Sequence, residues 1–416
     1  MAQLKEATDY ILDKLWLING VAEPIDLRKA MQTMTITESI GADGIVGEMR
    51  VLDVDQNIRE TFPITGSEKI QIEFRTDSEA PSWKKTMWVS GLGDEVIKDN
   101  NKRIFTIFFV SEILWNNNQR LSKYYEGTNA SIVSEILGDV LLQGVQTDFN
   151  PVIHETKYQR KFISPNWKPL KIINHLAKES ISTEGFNDFM FYENKDGVNF
   201  LPLSWIIGRK EYSVGITEDN IGDSDPLNNN PLKILTKQLD RSFDMELTHQ
   251  NGGVSNSLYT HDILNKGLNE WATDYDREFN RYADEDGVSG STPIFRNSFF
   301  GGVDNASYYY SGKYNISSEN YNNSKVNEQL MQRQIKMNSW EQHKLNLGFG
   351  SNSNITIGTH LYVDWKSWSR DLHIEIDRDQ QYNGRWLVHT VVHSFHQTKQ
   401  HMTFVKLMKD AFSYHL

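Results

Sequence analysis

The chain has 416 residues, enough for two to four domains with separate cores, and its 38% apolar and 12% aromatic content is that of a folded protein. A formal charge of −12 argues against tight sequence-independent DNA binding, which depends on Lys and Arg displacing counterions, and the absence of cysteine excludes disulfides, thiolate metal sites and thiol nucleophiles. No apolar run approaches a bilayer span and Met1 to Tyr10 lacks a secretion-signal pattern, so a soluble protein folded in a cytoplasm is expected.

Leu4, Ala7, Ile11, Leu15 and Trp16 fall at helical spacing, which predicts an arm or docking helix within residues 1–30. From Met31 to Glu112 the pattern becomes that of strands: Met34 and Ile36 among threonines, Gly47 to Val54, Ile64 to Phe74, Lys85 to Ser90 and Ile104 to Val110. These predict a first small antiparallel barrel over 31–112.

The period then changes. Ile132, Val133, Ile136, Leu137, Val140 and Leu141 form one helical stripe, with Thr128 or Ser131 as candidate caps. Pro169 suits a first helical position, and Leu170, Ile173, Leu176, Ala177 and Ile181 give that second helix, ended by Gly185, its buried face. Phe189 to Tyr192 and Val198 to Leu203 flank Asn194-Lys195-Asp196-Gly197, a hairpin signal. An α+β middle domain over 113–232 is expected, closing on the Asp/Asn/Gly-rich linker Glu218 to Pro231.

Lys237 to Thr248 and Val254 to His261 read as strands that open a second barrel, placed at 233–265 plus 336–412. Between them, 266–335 is an insertion in which Asp284 to Asn323 is dominated by Gly, Ser, Asn, Tyr and acidic residues. It reads as a mobile surface loop, or as a partner-binding loop that orders on assembly through Phe299, Phe300, Tyr308, Tyr309 and Tyr310, since aromatic side chains give contact area at low entropic cost. Lys325 to His343 is a helix. Leu345, Leu347 and Phe349 then alternate, Ile355 and Ile357 run into a turn at Gly358, and Leu361, Val363 and Trp365 alternate again. After a charged loop from Ser367 to Gly384, Trp386 to Phe395 and His401 to Lys409 complete the barrel.

Three segments recur in order. Ile64 to Phe74 is similar to Ile355 to Trp365, with its glycine one position off. Met87-Trp88-Val89-Ser90 matches Trp386-Leu387-Val388-His389, and Ile104 to Glu112 matches Met402 to Asp410. The expected fold class is therefore α+β, mainly β: two similar small antiparallel β-barrels, an α+β middle domain and a loop-rich insertion.

Reactive chemistry is sparse. His389, His393, His396 and His401 suggest a metal cluster, but i and i+4 residues on a strand lie about 13 Å apart, so barrel or interface histidines are expected and no metal or cofactor is assigned. Asp274, Asp276 and Glu278, or Asp284, Glu285 and Asp286, could supply paired carboxylates for glycoside hydrolysis, yet sit in a hydrophilic tract with no apolar frame to raise one pKa. No nucleophile elbow, phosphate loop or zincin motif occurs, so no catalytic residue is assigned and an enzyme is not expected.

Met34 to Phe74, Trp167 to Leu203, Ser255 to Ile263 and Lys325 to Asp410, with the turn at Gly358 and the strand ending in Val391-Val392-His393, together resemble the central hub protein of the baseplate in contractile-tailed bacteriophages. That resemblance covers most of the chain. It implies a homotrimer in which each subunit shows two barrels, near-sixfold to the tail tube ring and threefold to the central spike, around a channel for DNA. It also implies a place in the virion after assembly in the host cytoplasm. Tape measure and baseplate wedge proteins are further candidate partners, with no specific nucleic-acid binding and no membrane insertion. An acidic pore wall would keep DNA sliding. The alternative is a carbohydrate-binding or glycan-hydrolysing β protein, suggested by abundant Trp, Tyr and Asn.

Overall fold

The computed structural model describes residues 8–20, 22–54, 58, 62, 64–76, 82–99, 102–143, 151–218, 234–240, 243–262, 266–294, 306–311, 326–364, 381–398 and 400–413. Twelve strands frame the two barrel-like halves of the chain. In the first half they are β1 (Ile11–Ile18), β2 (Met31–Ser39), β3 (Val46–Val54), β4 (Lys69–Arg75), β5 (Trp83–Asp99) and β6 (Lys102–Ser111). In the second they are β7 (Ser213–Glu218), β8 (Ile234–Leu239), β9 (His343–Phe349), β10 (His360–Asp364), β11 (Gly384–His396) and β12 (Gln400–Lys409).

Each half encloses its own apolar core. Met34, Ile36, Met49, Val51, Ile70, Ile72, Phe74, Met87, Val89, Ile107 and Phe109 alternate inward from β2 to β6 in the first. Leu345, Leu347, Phe349, Leu361, Val363, Trp386, Val388, Val391, Val405 and Leu407 do the same from β9 to β12 in the second. Period-two burial is what a half-buried pleated strand dictates, since neighbouring Cβ atoms leave opposite faces. The mainly β, α+β class of the sequence reading holds. What the sequence did not show is that all these strands belong to one 13-stranded sheet, joined by direct pairing of β2 with β11.

The middle segment is the helical part. Asn129–Ile136 starts on a Thr128 cap, whose hydroxyl accepts from the Ser131 amide, and runs on as a π-turn over Leu137–Leu141. Pro169–Lys178 packs beside it, with Pro169 in the first turn; it ends at Lys178, short of the expected stop at Gly185. The hairpin Phe189–Asn194/Gly197–Pro202 forms as its turn signal requires and lies between two cores. Phe189, Phe191, Val198 and Phe200 enter the helical core, while Tyr192 and Leu201 enter that of the second module.

Several expectations are corrected. The N-terminal segment is not a helix over its described part: Ile11–Ile18 is a strand antiparallel to β4, and Leu15 and Leu17, two apart, are the residues it buries. Pairing at a sheet edge overrides a helical spacing that also fitted Ile11 and Leu15. Lys237 to Thr248 is a strand only to Leu239; Asp244 then caps a short helix, Met245–Gln250. Ser255–Asp262 is a strand but no part of the second module. It pairs antiparallel with Gly267–Asp274 and parallel with Ala306–Ser311 in a separate three-stranded sheet, and the module takes β7 and β8 instead. Ile355 and Ile357 are buried but lie in irregular chain leading to Gly358. The carboxylate tract 274–286 does have an apolar frame: Tyr275–Asp284 is an amphipathic helix whose Tyr275, Phe279 and Tyr282 enter a core.

Candidate functional site

The two halves share more than composition. Strand order in the first is β2-β3-β6-β5-β4-β1, and in the second β8-β9-β12-β11-β10-β7. Register agrees residue by residue: Trp88 faces Val110 as Leu387 faces Met408, Val89 faces Phe109 as Val388 faces Leu407, and Lys69 faces Trp88 as His360 faces Leu387. Two irregularities recur in place. An extra residue interrupts β5 at Ser90 and β11 at His389, and another interrupts β2 at Gln32 and β8 at Leu235. A bulge bends one strand against its partner and is not needed for pairing, so two at matching positions mark a repeated module. The Val89 amide donates to Glu68 at 2.9 Å, and the Val388 amide to Thr359 at 2.9 Å, closing the same turn. The repeat ends at the sixth strand: β1 is antiparallel to β4, whereas β7 is parallel to β10.

The modules meet where β2 pairs antiparallel with the second half of β11, from Thr390 opposite Ser39 to His396 opposite Thr33. Phe395 crosses this seam into the first core, its ring 4.7 Å from Phe74 and 5.2 Å from Tyr10, while Ile40 crosses the other way. Polar groups at the seam find partners across it. Glu38 accepts from Trp83 Nε1 at 3.0 Å and from Thr356 Oγ1 at 2.6 Å, and the Thr76 and Ser353 hydroxyls lie 3.0 Å apart. Burial dominates those donors and holds the Glu38 carboxyl above its ordinary pKa. Lys85 and Glu193, 3.0 Å apart and buried, tie β5 to the middle hairpin.

Of the four histidines singled out, the structure brings His393 and His401 together and leaves the others apart. His393 Nδ1 lies 3.2 Å from His401 Nε2, and His401 Nδ1 lies 2.8 Å from Ser351 Oγ. His389 instead meets Thr390 Oγ1, and His396 meets Thr398 Oγ1. Burial pushes His393 down to about 3, and burial together with the neighbouring His393 holds His401 well below the imidazole range. Both rings are therefore neutral, each offering one donor and one acceptor. A Ser-His-His string has the connectivity of an activated nucleophile, but all three residues are sealed in the interior, where a substrate would first have to open the seam.

Among the described residues no group of three or more His, Cys, Asp or Glu is placed to hold a metal. The acidic tract is structural: Asp274 caps its helix by accepting from the Arg277 amide, and buried Glu278 accepts from Thr273 Oγ1 at 2.9 Å and pairs with Arg281 at 2.8 Å. Phe299 and Phe300 lie outside the described residues. The backbone of Tyr308, Tyr309 and Tyr310 is a strand beside Leu258, Tyr259 and Thr260.

No family model matches the chain. A probable baseplate hub protein of Vibrio phage KVP40 is 22% identical over 440 residues, covering 97% of the chain and 95% of the relative. Two solved structures share the fold at 9% identity and a TM-score of 0.56 each. They are the 43 kDa tail protein of prophage MuSo2 from Shewanella oneidensis, covering 96% of the chain and 99% of that protein, and the tail protein from Neisseria meningitidis MC58, covering 97% of both. Along nearly its whole length the chain is thus similar to a probable phage baseplate hub protein, and it shares its fold with two phage or bacterial tail proteins.

Proposed function

We propose that the protein is the structural hub of a phage baseplate, in which three copies close into a ring that offers six similar β-modules to the tail tube and a threefold face to the central spike. The repeated strand order with its two matched bulges carries this reading. A threefold ring mates evenly with a sixfold one only if each subunit presents its contact surface twice. The middle domain and the separate three-stranded sheet, absent from the repeat, would then serve the face where symmetry is threefold, and the aromatic tract around Phe299, Phe300 and Tyr308 to Tyr310 would contact peripheral baseplate proteins. The role is architectural, without an enzymatic step, and its place is the virion tail. The central opening passes DNA, and the chain's acidic balance keeps phosphate from adhering.

Native mass measurement on the purified protein tests the stoichiometry. A trimer that captures a spike protein and a tube protein from the same phage supports the hub. A monomer at every accessible concentration, with the spike and tube proteins present, overturns it. Replacing acidic residues by lysine around the opening should slow DNA release from reconstituted particles; unchanged release would reject the electrostatic part alone.

A further inference from the structure

We infer that neighbouring copies are joined by a second seam of the kind that joins the two modules within one chain, formed between the outer edge of β5 over residues 91–97 and the outer edge of β8. The inference rests on the ring reading and specifies its contact.

Within the chain, β11 of the second module pairs with β2 of the first. The residues standing in those two places in the other copy of the repeat are the second half of β5 and all of β8. Leu92 faces Ile107 as Val391 faces Val405, and Ile97 faces Arg103 as Phe395 faces His401, so Leu92 and Ile97 are the counterparts of Val391 and Phe395. Leu239 faces Leu345 as Ile36 faces Gly47, so Leu239 is the counterpart of Ile36.

Their surroundings differ completely. Val391, Phe395 and Ile36 are 0%, 1% and 0% exposed, while Leu92, Ile97 and Leu239 are 49%, 63% and 53% exposed. Among the described residues β8 pairs only with β9, and beyond Val89 the only strand paired with β5 is β6. Two edges with no further strand partner among the described residues, carrying large apolar side chains at core-facing positions, are an aggregation hazard unless something covers them. The repeat names the cover: each edge is the counterpart of one strand of a pairing already present in the molecule. The two edges sit at distant positions in the sheet order, so a copy offers one edge to each neighbour. That head-to-tail contact closes a ring when the rotation permits.

The internal seam also supplies the register. Val392 opposite Thr37, Ser394 opposite Thr35 and Phe395 opposite Met34 translate to Gly93 opposite Asp240, Val96 opposite Gln238 and Ile97 opposite Lys237, antiparallel, once the extra residue between Gly93 and Val96 is allowed for. Ile97 and Leu239 would then enter a shared core, as Phe395 does inside the chain.

Because the chain has no cysteine, paired replacements read this directly. V96C and Q238C proteins, each made alone, are mixed and oxidised under mild conditions. The expected product is a disulfide-linked heterodimer, and the V96C/Q238C double variant should give a covalently closed trimer. A control pairing of V96C with L239C, whose side chains leave opposite faces of the seam, should cross-link at least about tenfold less. As a second measurement, Ile97→Glu and Leu239→Lys change exposed positions, so each chain should fold normally while its association weakens on the order of tenfold or more. A protein that is trimeric by native mass but does not cross-link at this register, or whose association ignores both charge variants, overturns the seam and leaves the hub standing. A protein that never leaves the monomer overturns the hub itself.

Discussion

The two modules repeat a geometry while sharing few side chains. Met87 stands where the second module has Trp386, Phe109 where it has Leu407, Ile70 where it has Leu361, and Ile107 where it has Val405, yet all eight are buried and the pairing around them is unchanged. Conserving which positions face inward, and where the extra residues fall, is enough to fix register, because a one-residue slip would turn every apolar side chain outward. The modules part company at their margins. The first is closed on one side by β2 against β11, while among the described residues its β5 overhang has no second strand partner; the second is the reverse, with β11 covered and β8 paired on one side.

Substitutions at matched positions should therefore have unmatched effects. Phe395→Ala empties a site in the first core that is filled from a strand of the second module, and should cost about 3–5 kcal/mol in urea unfolding. A loss below about 1 kcal/mol would show that the modules do not depend on their seam. The two turn glycines, one position apart in the repeat, offer the next contrast. Gly358 has φ +70°, and a Cβ there would stand 2.0 Å from the hydroxyl of fully buried Tyr192, so Gly358→Ala combines left-handed strain with overpacking and should cost about 2–5 kcal/mol. Gly66, at φ +92° with nothing near, bears the strain alone, and Gly66→Ala should cost about 1–2 kcal/mol. Equal losses at the two sites would mean that Tyr192 gives way.

Acid should act mainly through the second module. His393 and His401 are buried neutral with lowered pKa values, whereas Arg103 occupies the His401 position in the first. Below about pH 6.5 the unfolded chain takes up protons that these folded histidines refuse, so their contribution is intact above that pH and declines as pH falls towards about 3. At pH 5 the loss should be about 2 kcal/mol for His393, and His401 acts in the same direction. Buried Glu38, whose pKa burial raises, opposes this trend. Stability profiles of the protein and of a His393→Asn/His401→Gln variant should converge on acidification; parallel profiles would remove the pair as the cause.

The strands of the two modules were legible because alternation such as Leu345, Leu347, Phe349 has one reading in a sheet, and the repeat was legible because Trp88 and Leu387 sit in matched local patterns. The Ser351-His401-His393 string was not. Spacing along one strand separates His389 from His393 correctly, but the approach of His393 to His401 depends on the turn and register joining β11 to β12. The β2–β11 seam was equally hidden, since no local pattern specifies pairing between segments at opposite ends of the chain. At the N-terminus Ile11 and Leu15 satisfied a helix while Leu15 and Leu17 satisfied a strand, and only the exposed edge of β4 decided between them.

The smallest effect on the single chain is also the sharpest test of the contrast between covered and open edges. Ile97 occupies the place of Phe395 but is 63% exposed, so Ile97→Ala removes little buried surface from one subunit and should shift its unfolding by no more than about 0.5 kcal/mol. In an assembly closed through that edge the same side chain is buried, and its loss is felt once at every junction. Unfolding measured at protein concentrations well below the dissociation constant of the assembly should then be indifferent to the substitution, while unfolding measured far above it should become easier, because ligation by neighbours stabilises the folded state by mass action. A stability change that does not depend on protein concentration would place Ile97 in an ordinary exposed strand, with no neighbour to meet.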